Sequence, residues 1–240
     1  PPLSENEWQE EFAAYKTTPQ YKLINNDMSI SGFKTIFWPE YIHRLLGRLV
    51  GIVFALPLLV FVLRRSIGKR FLWRMVGIFA LGGLQGAIGW IMVRSGLENT
   101  PYVSHTKLAL HLSLAFTIFA LILWTIFDII GCGKYNKQND ERQLFASSSR
   151  FHITTYKIWF GLLCVQIIFG AFMAGLHAGL VYNTWPTMNG EFLPSEILFF
   201  LQPNSESKSL AAQATIMLQN ITLIQFIHRT LAAFLAIGFL

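Results

Sequence analysis

The sequence predicts an all-α polytopic membrane protein, a helical bundle with five spanning helices. Three observations predict it. Hydrophobic residues make up 53% of the 240 and charged residues only 13%, with a mean hydropathy of +0.44, so the charged coat of a soluble domain is missing. Five apolar runs reach the roughly 20 residues that a helix rising about 1.5 Å per residue needs to cross a hydrocarbon core. The basic residues, which leave a formal net charge of +6, fall in the connections between alternate runs and form no dense patch. That spread argues against nucleic acid as a partner.

Residues 1–40 are acidic and aromatic and read as an extracytoplasmic loop segment. The first apolar run covers 41–63 and the second 71–93, joined by a turn with Arg64, Arg65, Lys69 and Arg70 that belongs on the cytoplasmic or matrix side. The loop around Thr100 is poor in Lys and Arg and is expected on the opposite side. The third run, 108–130, completes a first set of transmembrane helices over 41–130. An inner loop over 131–155 carries Lys134, Lys137, Arg142 and Arg150. The fourth run, 156–181, opens a second half over 156–240 and leads to a long outer loop around Asn189, where Trp185-Pro186 and Pro194 break any helix. The fifth run covers 215–240. Helices beginning near Tyr41, Leu108 and Thr215 therefore all run from outside to inside. The chain opens on Pro1-Pro2 and stops within an apolar run, so both ends are expected to be cut from a longer protein.

Two internal echoes suggest related halves. Tyr41-Ile42-His43-Arg44-Leu45 recurs as Phe226-Ile227-His228-Arg229-Thr230, with Gly47 and Gly51 below the first histidine and Ala232 and Ala236 below the second. Gln85-Gly86-Ala87-Ile88-Gly89 is echoed by Gln166 through Gly170. Small-residue strips also arise simply to pack helices.

His43 and His111 fall at matched depth near the outer side of helices running the same way. Two such imidazoles can clamp a flat metal macrocycle, and the small residues beneath them leave room for its ring, which points to axial ligation of a haem iron. A membrane histidine can also hydrogen-bond to a neighbour or sit at the interface. His228 has the same setting, with its counterpart expected past Leu240. His105 and His152 fall in loops, and His177 near an outer helix end. Arg44, Arg48 and Arg229 are candidates to bind anionic groups such as haem propionates through the planar guanidinium fork; snorkelling or pairing with a carboxylate is the alternative. Cys132 and Cys164 form no C-x-x-C-H attachment motif, so the haem is expected to be non-covalent.

Glu40 is the discriminating residue. It lies three residues before His43, on the same helix face and one turn further out. The equivalent position before His228 is Gln225, which cannot take up a proton or supply a negative charge. An acid in one half alone sets the two copies apart chemically, since a carboxyl can transfer a proton or stabilise developing positive charge. Pairing with Arg44, four residues on, is the structural alternative.

Glu40-Tyr41-Ile42-His43-Arg44 with Gly47-Arg48, Gly82-Gly83-Leu84-Gln85-Gly86 to Gly89-Trp90, Ser95-Gly96-Leu97, Leu108-Ala109-Leu110-His111-Leu112, Gly170-Ala171-Phe172, Asn183-Thr184-Trp185-Pro186 and Gln225-Phe226-Ile227-His228-Arg229, in this order, resemble the haem A synthase family of the alphaproteobacterial and mitochondrial type. The resemblance implies two pseudo-symmetric four-helix halves, of which this chain holds helices two to six. It implies oxidation of the ring D methyl of haem O to a formyl group by successive hydroxylation, for terminal oxidases. One half would carry the substrate haem and the other a haem b cofactor, with His43 and His111 as the first ligand pair and His228 as one of the second. The implied partners are haem O synthase, terminal oxidase assembly factors and membrane lipid, with homo-oligomer formation left open. The implied location is the bacterial cytoplasmic (inner) membrane, or alternatively the mitochondrial inner membrane. No cysteine pair stands in an outer loop, so no cysteine-dependent step is expected. A di-haem b-type cytochrome and a haem transporter or chaperone are the competing functions; neither changes the porphyrin.

Overall fold

In a computed structural model of the chain, residues 1–98, 101–131, 149–201 and 210–238 are described. The expectations for Thr100, Cys132 and most of the inner loop lie outside them. The described chain is helical: α1 (Glu5–Lys16), α2 (Pro19–Leu23), α3 (Ile30–Leu63), α4 (Lys69–Glu98), α5 (His105–Gly131), α6 (Ser149–Gly175), a 3₁₀ turn (Ala178–Leu180), α7 (Ser195–Leu201), α8 (Leu210–Gln219) and α9 (Ile221–Gly238). Five of these, α3, α4, α5, α6 and α9, are long and apolar enough to cross a membrane. The protein is an all-α polytopic membrane protein.

The chain divides into two compact units, Pro1–Trp124 and Thr125–Leu240. In the first, the segment ahead of the apolar run carries α1, α2 and the opening turns of α3. Ser4 caps α1 by accepting from the Glu7 amide, Thr18 caps α2 ahead of Pro19, and Ser29 accepts from the Gly32 amide to start α3 well before the apolar run. Trp8 and Phe12 of α1 bury against Phe33 of α3, with Tyr15, Tyr21, Met28 and Phe37 around them. Phe12 and Phe33 stack at 5.3 Å, and Trp8 meets Phe37 edge-on at 4.9 Å. This aromatic knot explains why α3 extends past the span: its first turns bury side chains among α1 and α2.

Pro39 and Pro57 both sit inside α3. In a spanning helix, neighbouring groups can satisfy the carbonyls that proline leaves free. Further along, Phe54 of α3 stacks on Phe79 of α4 at 5.9 Å. At the far end of α4, a Cβ on Gly96 would come within 3.2 Å of the Tyr102 carbonyl carbon, and Ser95 Oγ accepts from the Ser104 amide. Glycine there lets the chain close back into α5. His105 is the first residue of α5 and His152 lies within α6, so both belong to helices where loops were expected.

In the second unit α9 packs along α6. Leu223, Ile224 and Leu235 are buried on α9, as are Ala171 and Phe172 on α6, while Trp159 and Phe234 stack at 5.5 Å. The apolar run expected to start at Thr215 is broken: α8 ends at Gln219, and Asn220 starts α9 by accepting from the Leu223 amide at 2.9 Å. Between α6 and α7, Met188 and Glu191 form an isolated antiparallel bridge closed by Asn189 and Gly190, both in the left-handed region that a tight hairpin turn requires.

Candidate functional site

His43 lies on an exposed face of α3. A Cβ on Gly47 or Gly51, one and two turns below it, would meet nothing within 4 Å, so the strip beneath the imidazole is open. His111 lies half-buried on α5, and both histidines belong to the first unit.

His111 also has neighbours that its position in the sequence does not announce. Its ring edge rests on Gly89 of α4, where a Cβ would stand 2.9 Å from Cε1. Gln85, one turn away on the same face, places its amide nitrogen 3.3 Å from His111 Nε2 and donates to the His111 main-chain oxygen at 3.1 Å. His111 Nδ1 and Gln85 Oε1 are buried with no hydrogen-bond partner.

The second unit repeats the arrangement. His228 of α9 rests its Cε1 against Gly170 of α6, 3.2 Å from where a Cβ would be, and Gln166 Nε2 is 3.4 Å from His228 Nε2. His228 Nδ1 and Gln166 Oε1 are again buried and unpartnered. By its flanking residues His228 corresponds to His43; by its surroundings it corresponds to His111.

The remaining candidates separate by half. Arg44 Nη1 donates to Glu40 Oε1 at 2.9 Å, with both side chains 51% exposed, so the i,i+4 pairing weighed as the alternative is present. Exposed pairs of this kind are worth under about 1 kcal/mol, and Glu40 stays accessible. Arg48 is exposed one turn beyond Arg44. Arg229 instead binds the loop between α6 and α7 in its own unit: Nη1 donates to Tyr182 O at 3.2 Å, Nη2 donates to the carbonyls of Thr184 and Thr187, and the guanidinium lies 5.4 Å from the Trp185 ring centroid. Gln225 is 2% exposed and donates to Tyr182 O at 2.9 Å, leaving its Oε1 without a partner. Nothing in the sequence reading pointed to these loop carbonyls. Gln85 and Gln166 were visible in it only as members of an echo.

Among the described residues no three His, Cys, Asp or Glu side chains gather in a way that could hold a bare metal ion. A pair of imidazoles above an open small-residue strip suits an iron whose equatorial ligands come from a macrocycle. Nδ1 of His111 and of His228 is buried without a partner, and each Nε2 faces a glutamine amide.

Fold and site together define a polytopic helical membrane protein that carries His43, His111 and His228 on its candidate spanning helices. The profile of the COX15-CtaA family, described as cytochrome oxidase assembly protein, matches residues 1–240, and the chain belongs to that family. It is 42% identical over 238 residues to a "Heme A synthase" of Nitrosospira multiformis, covering 99% of this chain and 62% of that protein. It is 46% identical to a "Heme A synthase" of Wolbachia pipientis from Culex pipiens, covering 97% and 64%, and 44% identical to one of Rhodopseudomonas palustris, covering 97% and 59%. The chain therefore spans about six-tenths of the length of these relatives. No solved structure matches it.

Proposed function

We propose that the protein acts as a haem A synthase, oxidising the ring D methyl of haem O to a formyl group in the bacterial cytoplasmic membrane, with haem b as its electron-transfer cofactor. The observation that carries this reading is the exposed His43 above the open strip at Gly47 and Gly51, with His111 in the same unit, in a chain of this family. Haem b, when bound, supplies one-electron transfer. The chain's own residues do the rest. His43 and His111 would hold the substrate haem through its iron, and the glycines leave room for the ring. Arg48 offers a guanidinium to the propionates. Glu40, one turn outward from His43, is placed to accept a proton as the methyl group is oxidised, and Arg44 restrains its carboxylate. In the other half His228 would hold the cofactor, and Gln225 keeps the shape of that position without the acid.

The experiment is haem extraction and mass analysis from cells lacking their own enzyme and supplied with the protein or its Glu40→Gln variant. Porphyrin carrying the formyl group is expected with the unaltered protein. In Glu40→Gln, haem content should stay near normal while formyl product falls by roughly a hundredfold, the scale of one lost acid–base group. An unchanged porphyrin mass with the unaltered protein would move the reading to a di-haem cytochrome or a haem carrier. A variant as productive as the unaltered protein would assign Glu40 to structure.

A further inference from the structure

We infer that Gln85 is a positioning residue that holds His111, before iron binds, in the tautomer that presents the Nε2 lone pair, with its amide occupying that lone pair until iron takes it. This rests on the reading of His111 as an iron ligand and adds a role for a residue outside the ligand set.

The argument turns on which atom can donate. An amide nitrogen donates and cannot accept, and a main-chain carbonyl only accepts. Gln85 Nε2 reaches both the His111 main-chain oxygen, at 3.1 Å, and His111 Nε2, at 3.3 Å. The carbonyl therefore fixes the orientation of the amide, and the ring nitrogen facing it must present its lone pair. In a neutral imidazole the hydrogen then sits on Nδ1, which is buried and unpartnered. Nε2 thus carries no hydrogen that would have to leave before iron binds. Gly89 makes this possible, since a side chain there would collide with the ring. Gln166 and Gly170 stand in the same way to the His228 ring, with the amide nitrogen 3.4 Å from Nε2 and a Cβ on the glycine 3.2 Å from Cε1, while the carbonyl contact that orients the amide belongs to Gln85. Helix packing alone accounts for the glycines. It does not account for a glutamine aimed at the same ring nitrogen in both units.

The hydrogen bond must break when iron takes Nε2, so the glutamine stabilises the empty site and competes with the loaded one. Removing the amide leaves a buried acceptor unsatisfied in the empty state and should tighten haem binding. Replacing it by a carboxylate, an acceptor, should draw the hydrogen onto Nε2 and oppose ligation. A residue that merely packs would weaken binding in both cases.

The test uses the protein purified from haem-starved cells, reconstituted in lipid nanodiscs and titrated with iron protoporphyrin IX while low-spin absorption is followed. Gln85→Leu should lower the half-saturating haem concentration by about fivefold, the effect of one net hydrogen bond. Gln85→Glu should raise it at least about tenfold or abolish the low-spin species at that site, because a hydrogen bond to a charged group is the stronger kind. Weaker or unchanged binding in Gln85→Leu overturns the inference. Should either variant fail to fold, ¹⁵N-histidine NMR of the unaltered haem-free protein decides: hydrogen on Nδ1 of His111 is expected, and hydrogen on Nε2 overturns it. His111→Ala is run beside them. Full haem content in that variant would remove His111 as a ligand. Loss of one haem there, together with unaltered behaviour of the Gln85 variants, would reject the glutamine role alone.

Discussion

Gly89 and Gly170 carry no chemistry, yet they decide where two imidazoles can lie. A Cβ at Gly89 would press on His111 at 2.9 Å and one at Gly170 on His228 at 3.2 Å, whereas one at Gly82 meets nothing within 4 Å. Gly89→Val should therefore displace the ring, cost about 1–3 kcal/mol as overpacking does, and remove one low-spin haem from the absorption spectrum while leaving the other. Gly82→Ala should leave both haems and the melting temperature nearly unchanged. A Gly89→Val protein with its full haem spectrum would show that the ring does not depend on that glycine. The four-residue spacing of Gln and Gly was legible in the sequence, because it recurs. Which histidine it served was not, because the partner stands on another helix, 26 residues on in one unit and 62 in the other. The sequence instead aligned His228 with His43 through the His-Arg pair.

Apolar runs revealed the spanning helices, since hydropathy depends on composition alone; their ends follow from caps and tertiary contacts that hydropathy does not sense. The start of α3 at Ile30 depends on the Ser29 cap and on the knot around Phe33, in a stretch whose acidic residues read as loop. The break at Asn220 lay inside an otherwise continuous apolar run and shows itself through one capping hydrogen bond. The loop between α6 and α7 depends on Arg229, whose three carbonyl partners are spread over Tyr182, Thr184 and Thr187. Arg229→Leu should release this loop: amide exchange across 182–190 is expected to rise by roughly tenfold or more, the scale of losing one or more hydrogen bonds to a charged group. Exchange in α6 should stay as it was. Unaltered exchange in the loop would mean that Gln225 and the hairpin at Asn189 suffice to hold it.

For the whole molecule the division of basic residues sets an orientation that labelling can test. With Cys132 and Cys164 replaced, Ser66→Cys should react with a membrane-impermeant maleimide only from the cytoplasmic side and Asn189→Cys only from the outside. Reaction of both from the same side would be incompatible with the alternating spans. The spans themselves were legible because lipid demands long apolar helices, and the shared His-Arg motif made two halves visible. What separates the halves lay in burial. Glu40 is half exposed and sits in an ion pair, while Gln225 is 2% exposed and directed at the Tyr182 carbonyl. A carboxylate at 225 would point its charge at that carbonyl in a place shut off from water, where an unpaired ion is costly. A glutamine at 40 would meet no such obstacle. The two copies of this motif therefore answer the same substitution differently. A carboxyl at 40 can carry its charge beside Arg44, whereas one at 225 would keep its hydrogen and hold it toward the Tyr182 carbonyl, an ion on one side and a neutral strut on the other.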